Sequence, residues 1–437
     1  MSPTATADVA AALETINALP EDQTLTPSAR DNIRKWLTEP RYARYAPEVA
    51  QHIADENWQK LDDVFYTVIP FGTGGRRGRM YPIGCNAIND RTIGESAAGL
   101  AAYVTETVGG DGLSCGIAYD PRHKSRHFAE LCARIMVAAG FKVFFLDEIR
   151  STPELSYLVR FKNCTCGIMV TASHNPPTDN AVKVYWSTGG QVLPPHDKGI
   201  IDRVMNVEQI DDDVDFDKAV ADGQIVFCKE EVDAAFQRDV VAQAPLGPRD
   251  VKVIYSPLHG VGLTATTPVL EAAGFSGLEV FGPHATPDSD FPNVPGNVAN
   301  PENPAVFDPM IERGQEIGAD IALASDPDCD RLGVAAPVTT DPSGPWRTFN
   351  GNQIAVLLAD YVLEQRAQGG GLSPENFIIQ TLVTTQMVRR IGDSYGVRTV
   401  GDLLVGFKWI AGAIDENGPD KFIYGCEESH GYMAGSY

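Results

Sequence analysis

Short apolar runs alternate with stretches in which apolar residues recur every three or four positions, and this rhythm repeats along most of the chain. Cys115 to Tyr119 is one such run. The polar loop DPRHKS follows it, then Phe128, Leu131, Cys132, Ile135 and Met136 at helical spacing, until Gly140 closes the helix ahead of the strand VFFL. This is a βαβ unit. VKVIYS (251–256), the loop PLHGVG, an apolar helix ending at Gly274 and the strand LEVF repeat the pattern, and a helix near 304–317 leads to the strand DIALA. A third round starts at Gly351 with the helix NQIAVLLADYVLEQ, followed by FIIQTLV, a helix through Met387 and Ile391, VRTV, the helix FKWIAGAI and the strand FIYG. CGIMVTA, Cys166 to Ala172, is a further apolar run, short enough to read as a buried strand. Strands alternating with helices of this length predict an α/β fold class, with parallel or mixed sheets covered by helices.

At 437 residues the chain exceeds one hydrophobic core and predicts several tandem α/β domains. A helical lead-in is expected over 1–65 and a first α/β domain over 66–248, with the acidic stretch EQIDDDVDFDKAVADG (208–223) as a solvated linker or surface helix. A second is expected over 249–345, ending at a joint in DPSGP (341–345), and a third over 346–437.

Composition narrows the partners. Hydrophobic residues make up 43% of the chain, enough for several packed cores, and the net charge is -23. A chain this acidic lacks the basic footprint that nucleic acid or an acidic membrane requires. No run reaches membrane-spanning length, and nothing ahead of the first basic residue, Arg30, resembles an apolar signal core, so no secretory signal is expected. The eight cysteines are scattered, with CxC at Cys164 and Cys166 as the one close pair. Reduced thiols in a cytoplasmic protein, a monomer or small homo-oligomer, are the economical expectation.

Candidate chemistry gathers in loops that follow predicted strands, where open α/β sheets bind their ligands. ASDPDCDRLG (324–333) sets Asp326, Asp328 and Asp330 at alternate positions, where mutual repulsion raises their pKa values unless a cation is present. Hard oxygen ligands in so short a loop suit Mg2+, while the glycine and terminal glutamate of an EF-hand are absent. Asp328→Asn is expected to weaken metal binding and, by removing one repelling charge, to favour the metal-free chain. FGTGGRRGRM (71–80) is glycine-rich but fails both nucleotide fingerprints; it is expected to be a flexible loop presenting Arg76, Arg77 and Arg79 to phosphate oxygens. Arg122, His123, Lys124, Arg126 and His127 form a second basic cluster at a helix start. In GCEESHGY (425–432), Glu427 and Ser429 offer adjacent acceptors for sugar hydroxyls. VTASHNPP carries Ser173 on a turn, because Asn175 precedes a proline; on these residues alone, a turn serine bonded to its own backbone is the simpler reading.

FGTGGRRG, TASHNP, DPDCDR and CEESHG, in this order and at these separations, resemble the α-D-phosphohexomutases, with TASHNP and DPDCDR the most specific. The resemblance runs from about residue 66 to 437, and KWLTEPRYA, NAVKVYWSTGGQVLPPHD and SPLHGVG are most similar to the phosphoglucomutase and phosphopentomutase branch. It implies domains around a central cleft and movement of a phosphoryl group between the 1- and 6-hydroxyls of a hexose, glucose 1-phosphate to glucose 6-phosphate. Ser173 is then the phosphoryl carrier, Mg2+ is held by Asp326, Asp328 and Asp330 with the Ser173 phosphate, and glucose 1,6-bisphosphate is the activator. Arg77, Lys183, Arg331 and Lys408 supply positive charge, with Lys183 and Lys408 open as proton-transfer partners or sugar contacts. His174 and His259 fix loops or assist the serine. Glu427 and Ser429 match the family's sugar-hydroxyl readers, with Gly406 and Arg331 also at the substrate. Two departures stand out. Arg76 occupies a usually apolar position, and the family's fourth domain, with its phosphate-binding loop, has no counterpart here; the sequence is expected to be a piece of a longer protein or to lack that clamp. Phosphopentomutase and phosphomannomutase activities remain open, ahead of a magnesium-dependent sugar phosphatase or a non-catalytic sugar-phosphate binder.

Overall fold

The computed structural model describes residues 8–20, 25–72 and 74–437. Thr73 of the glycine-rich segment and parts of the lead-in, 1–7 and 21–24, lie outside the described residues. The lead-in consists of α1 (Val9–Ala18), α2 (Pro27–Thr38), α3 (Ala46–Ala54) and α4 (Trp58–Phe65). Its apolar faces close on one core around Ile33, Trp36, Leu61 and Phe65, with the Trp36 ring stacked on Tyr42.

The first sheet is built from β1 (Gly75–Arg79), α5 (Asp90–Thr107), β2 (Ser114–Tyr119), α6 (Ser125–Ala138), β3 (Lys142–Phe145), α7 (Thr152–Phe161), β4 (Cys166–Val170), β5 (Asp179–Trp186), α8 (His196–Met205), α9 (Phe216–Ala221) and β6 (Ile225–Phe227), followed by α10 (Lys229–Val241). Its strand order is β1-β5-β4-β2-β3-β6. β4, β2, β3 and β6 run parallel, while β5 and β1 add antiparallel at one edge. Every residue of β2 and β4 is buried, as continuous apolar runs between two helical layers should be. One face packs on α5 and α6 through Ile93, Phe128 and Ile135, the other on α7 through Leu155 and Leu158.

The second sheet comprises β7 (Val253–Ser256), α11 (Gly262–Ala272), β8 (Leu278–Val280), α12 (Asp308–Ile317), β9 (Ile321–Ser325), β10 (Leu332–Pro337) and β11 (Trp346–Phe349), in the order β11-β10-β9-β7-β8. Only β9, β7 and β8 are parallel; β10 and β11 form an antiparallel hairpin. DPSGP, expected as a joint between domains, is the turn of that hairpin. The third sheet contains α13 (Gly351–Gln368), β12 (Phe377–Thr381), α14 (Met387–Ser394), β13 (Arg398–Leu403), α15 (Phe407–Asn417), β14 (Phe422–Glu427) and β15 (Gly431–Ala434), in the order β13-β12-β14-β15 with β15 antiparallel. Helices α13 and α14 cover one face and α15 the other. Among the described residues no helix is long and apolar enough to cross a membrane.

Candidate active site

Ser173 lies just past the end of β4, buried and in the left-handed backbone region at φ 53°. That conformation is unfavourable for a residue with a Cβ and persists only where neighbours hold it. Here the hold is visible. The Ser173 N–H donates to Thr171 Oγ1 at 2.8 Å, and the Thr171 hydroxyl donates to Asp120 Oδ2 at 2.6 Å. Arg122, at the end of the neighbouring β2, spends its guanidinium on the carbonyls of Ser173, Asn175, Pro176 and Asp179. This buried arginine is a scaffold for the turn, not part of a phosphate-facing cluster as its sequence neighbours suggested. Arg126 and His127 are taken up by Glu130 and Asp90.

The Ser173 hydroxyl reaches across to the second sheet and donates to Asp326 Oδ2 at 2.6 Å. His174 Nδ1 lies 3.2 Å from Ser173 Oγ. Burial first, and then the charge of Arg331, pull the His174 pKa down to about 4, so its ring is neutral near pH 7. The loop after β9 brings one carboxylate oxygen each of Asp326, Asp328 and Asp330 within 4.8 Å of one another. Asp326 Oδ1 is aimed by the N–H groups of Asp330 and Arg331, both at 3.1 Å. Asp328 Oδ2 accepts from Lys183 at 2.9 Å and from the Thr152 hydroxyl at 2.7 Å. The other oxygens, Asp328 Oδ1 and Asp330 Oδ1, are buried with no hydrogen-bond partner among the described residues. Buried acceptors without donors, three hard carboxylates and a serine oxygen form a donor set that fits Mg2+.

Charge in the loop is unevenly shared. Burial drives the Asp326 carboxyl well above its usual range, and Asp330 and Asp328 push the same way. Asp328 goes the other way: burial would raise it, but the charge of Lys183 together with hydrogen bonds from Asp326, Lys183 and Thr152 holds it ionised and below its usual range. Lys183 is the counterpart, pulled down by burial yet held above its usual range by Asp328 and Asp330. The expectation that Asp328→Asn would favour the metal-free chain is therefore reversed, because it would leave the Lys183 ammonium without its main counter-charge. A second support was also missed: PLHGVG packs directly beneath this loop. A Cβ on Gly260 would fall 2.3 Å from Pro327 Cα, and the Val261 N–H donates to Pro327 O at 3.0 Å. His259 lies in that supporting loop, its ring nitrogens 2.8 and 2.5 Å from the carbonyls of Thr286 and Pro292. It fixes the loop and does not meet Ser173.

These groups open on a cleft of about 890 Å3 that Arg77, Ser173, Lys183 and Arg331 share with Gly406, Lys408 and Glu427 of the third sheet. Within FGTGGRRGRM, Gly75 to Arg79 form an edge strand in place of the flexible loop expected there. Alternation along that strand separates the arginines. Arg77 faces the cleft, whereas Arg76 is only 1% exposed and pairs with Glu95 at 2.8 Å. Arg331 is ion-paired with Glu302. On the far wall Glu427 Oε1 accepts from the Ser429 hydroxyl at 2.8 Å and Oε2 from the Gly406 N–H at 3.1 Å. Burial raises the Glu427 carboxyl above its usual range. Glu428 points elsewhere, accepting from Thr381 and Thr384. Lys408 lines the cleft with its ammonium 4.9 Å from the Trp409 ring, and burial lowers its pKa. The residues sequence reading missed, Thr152 and Glu302, act on partners 29 or more positions away. No local pattern marks them.

Three family sequence profiles match the chain in succession: phosphoglucomutase/phosphomannomutase alpha/beta/alpha domain I over residues 69–211, domain II over 232–339 and domain III over 350–437. A probable phosphoribomutase of Schizosaccharomyces pombe is 31% identical over 421 residues, an alignment covering 94% of this chain and 70% of that protein. A phosphoglucomutase of Staphylococcus epidermidis is 33% identical over 374 residues, covering 84% of this chain and 66% of its relative. A phosphoribomutase of Saccharomyces cerevisiae is 31% identical over 440 residues, covering 94% and 69%. Among solved structures, a putative phosphomannomutase from Thermus thermophilus shares the fold at a TM-score of 0.67 and 24% identity, over 84% of this chain and 76% of that one. Three successive domain matches and relatives above 30% identity agree with the loop order around the cleft: the chain belongs to the α-D-phosphohexomutase family.

Proposed function

We propose that the chain is the catalytic framework of a phosphosugar mutase in which Ser173 carries the phosphoryl group. The observation that carries this reading is the Ser173 hydroxyl, 2.6 Å from Asp326 in a cleft lined by Arg77, Lys183 and Arg331. Phosphoryl transfer asks a protein for positioning and for positive charge at the transferring group, and those side chains supply both. Asp326, Asp328 and Asp330 would hold Mg2+ with an oxygen on Ser173, and the bound ion supplies positive charge against the phosphoryl group. Lys183 stays an ammonium beside Asp328 and so contributes charge, not a basic lone pair. Lys408, with its pKa lowered by burial, is the better candidate for proton exchange with a sugar hydroxyl. Glu427, fixed by Ser429 and Gly406, retains lone pairs for adjacent sugar hydroxyls. The sugar monophosphate would take the phosphoryl group, and the bisphosphate would return its other phosphate to Ser173.

Glucose phosphate is the substrate we favour, from the EES form of the sugar loop. The phosphoribomutase relatives support a pentose as the second reading. The test incubates the chain with glucose 1,6-bisphosphate and Mg2+, measures intact mass, and then compares kcat/KM for glucose and ribose phosphates. One added phosphoryl group, absent in Ser173→Ala, is expected. Equal labelling of Ser173→Ala would overturn the assignment of the carrier, and a higher kcat/KM for ribose phosphate would overturn the choice of sugar.

A further inference from the structure

A second cavity, of about 390 Å3, lies outside the cleft, between the end of β1, helix α4 and the residues that follow the Ser173 turn. Lys60, Arg79 and Lys124 reach it from three separate segments, and Met80, Tyr81 and Ile88 give it an apolar wall. The chain has 58 acidic side chains against 35 basic ones, so carboxylates are in excess. Three basic side chains of the same two motifs have carboxylate partners: Arg76 pairs with Glu95, Arg126 with Glu130 and His127 with Asp90, each at 2.8 Å. The three that line this cavity do not. Among the described residues none of them is ion-paired, and Lys60 instead lies 5.1 Å from the centre of the Tyr81 ring. The one carboxylate in the lining, Asp290, is bonded to His123 at 2.7 Å.

Converging cations repel one another, and a shared anion turns that repulsion into attraction. Arg79 offers a forked set of donors, and Lys124 sits at φ 62° directly ahead of the 14-residue helix α6, whose positive end adds to the field. The volume falls in the range of small-molecule sites and exceeds what a bare anion fills. We propose that this cavity binds a small phosphate monoester, its phosphate on Arg79 and Lys124 and its less polar body against Met80, Tyr81 and Ile88. The site is independent of the cleft. It also adjoins the catalytic turn: Pro177 and Thr178 line it, and Thr178 O accepts the Met80 N–H at 2.8 Å.

Calorimetric titration of the full chain with phenyl phosphate, and separately with inorganic phosphate, tests this at low ionic strength. Arg79 and Lys124 are exposed, so Arg79→Gln/Lys124→Gln is expected to fold, checked by an unchanged unfolding midpoint. That variant is expected to lose phenyl phosphate binding at the cavity by roughly tenfold or more, the scale of a lost charge-assisted hydrogen bond. Arg77→Gln, which alters the cleft, is expected to keep it. Inorganic phosphate is expected to bind the cavity more weakly than the ester. Wild-type binding in the double variant, or complete loss in Arg77→Gln, overturns the site; equal or tighter binding of inorganic phosphate overturns the monoester assignment.

Discussion

Glu154 is a buried carboxyl whose nearest cation is already committed elsewhere. Its Oε1 is 4.0 Å from Arg150 Nε, while the Arg150 fork grips both oxygens of Asp233 at 2.8 and 2.7 Å. Burial therefore pushes the Glu154 pKa up to about 7, although Ser151 donates to Oε2 from its N–H and its hydroxyl. A folded value above the ordinary 4.5 means that the folded chain holds a proton the unfolded chain has released. Its stabilising effect is full below about pH 4.5 and is lost as pH rises through about 7. Glu154→Gln keeps the acceptor for Ser151 and cannot ionise. It is expected to match wild type in urea unfolding near pH 4 and to be about 1–3 kcal/mol more stable at pH 8; an equal difference at both pH values would contradict this. Nothing in the sequence marks Glu154 as unusual, because its state depends on Asp233 across the fold. Asp326, Asp328 and Asp330 were legible for the opposite reason, their chemistry being contained within five residues.

Among elements, the strands that sequence reading found are all parallel ones, including β8 and β13 at sheet edges, while every antiparallel strand and the short parallel β6 escaped it. β2, β4, β9, β12 and β14 are apolar runs between helices. β1, β5, β10, β11 and β15 are edge additions with mixed composition, and β1 in particular reads GRRGR. Period-two burial along β1 is carried by arginines, which no hydrophobic pattern detects. Its inward residue, Arg76, meets the α5 residue Glu95, which also accepts from Arg91 at 2.8 Å. This accounts for an arginine at a usually apolar position: the helix beneath it supplies the counter-charge. Arg76→Leu leaves Glu95 still paired with Arg91, whereas Glu95→Leu strands two buried guanidinium groups. Unfolding free energies from urea titration are expected to fall much further for Glu95→Leu, by about 3–5 kcal/mol, than for Arg76→Leu. Equal losses would show that the strand does not depend on this pair.

At the scale of the whole molecule, the three sheets converge on the loop 326–331. Ser173 and Lys183 bind it from the first sheet, Thr152 accompanies them from α7, and His430 exchanges backbone and ring hydrogen bonds with Leu332 from the third. The order of the loops was readable from sequence, but these contacts, joining positions 98 to 176 apart, were not. One consequence is that the three aspartates are not equivalent in the metal-free chain. Asp328 neutralises Lys183 at 2.9 Å, while Asp330 lies 3.7 Å from Lys183 and 3.9 Å from Arg331 and is pushed above its usual pKa first by burial and then by Asp328. Without Mg2+, Asp328→Asn is expected to lower the unfolding midpoint, and Asp330→Asn to raise it by relieving repulsion. Adding Mg2+ at about a hundred times its Kd should stabilise wild type by about 2.7 kcal/mol, since the ion binds only the folded arrangement, and should stabilise both variants far less. A metal-free Asp328→Asn chain more stable than wild type would sink the pairing argument. A full Mg2+ shift in Asp330→Asn would remove that carboxylate from the metal site.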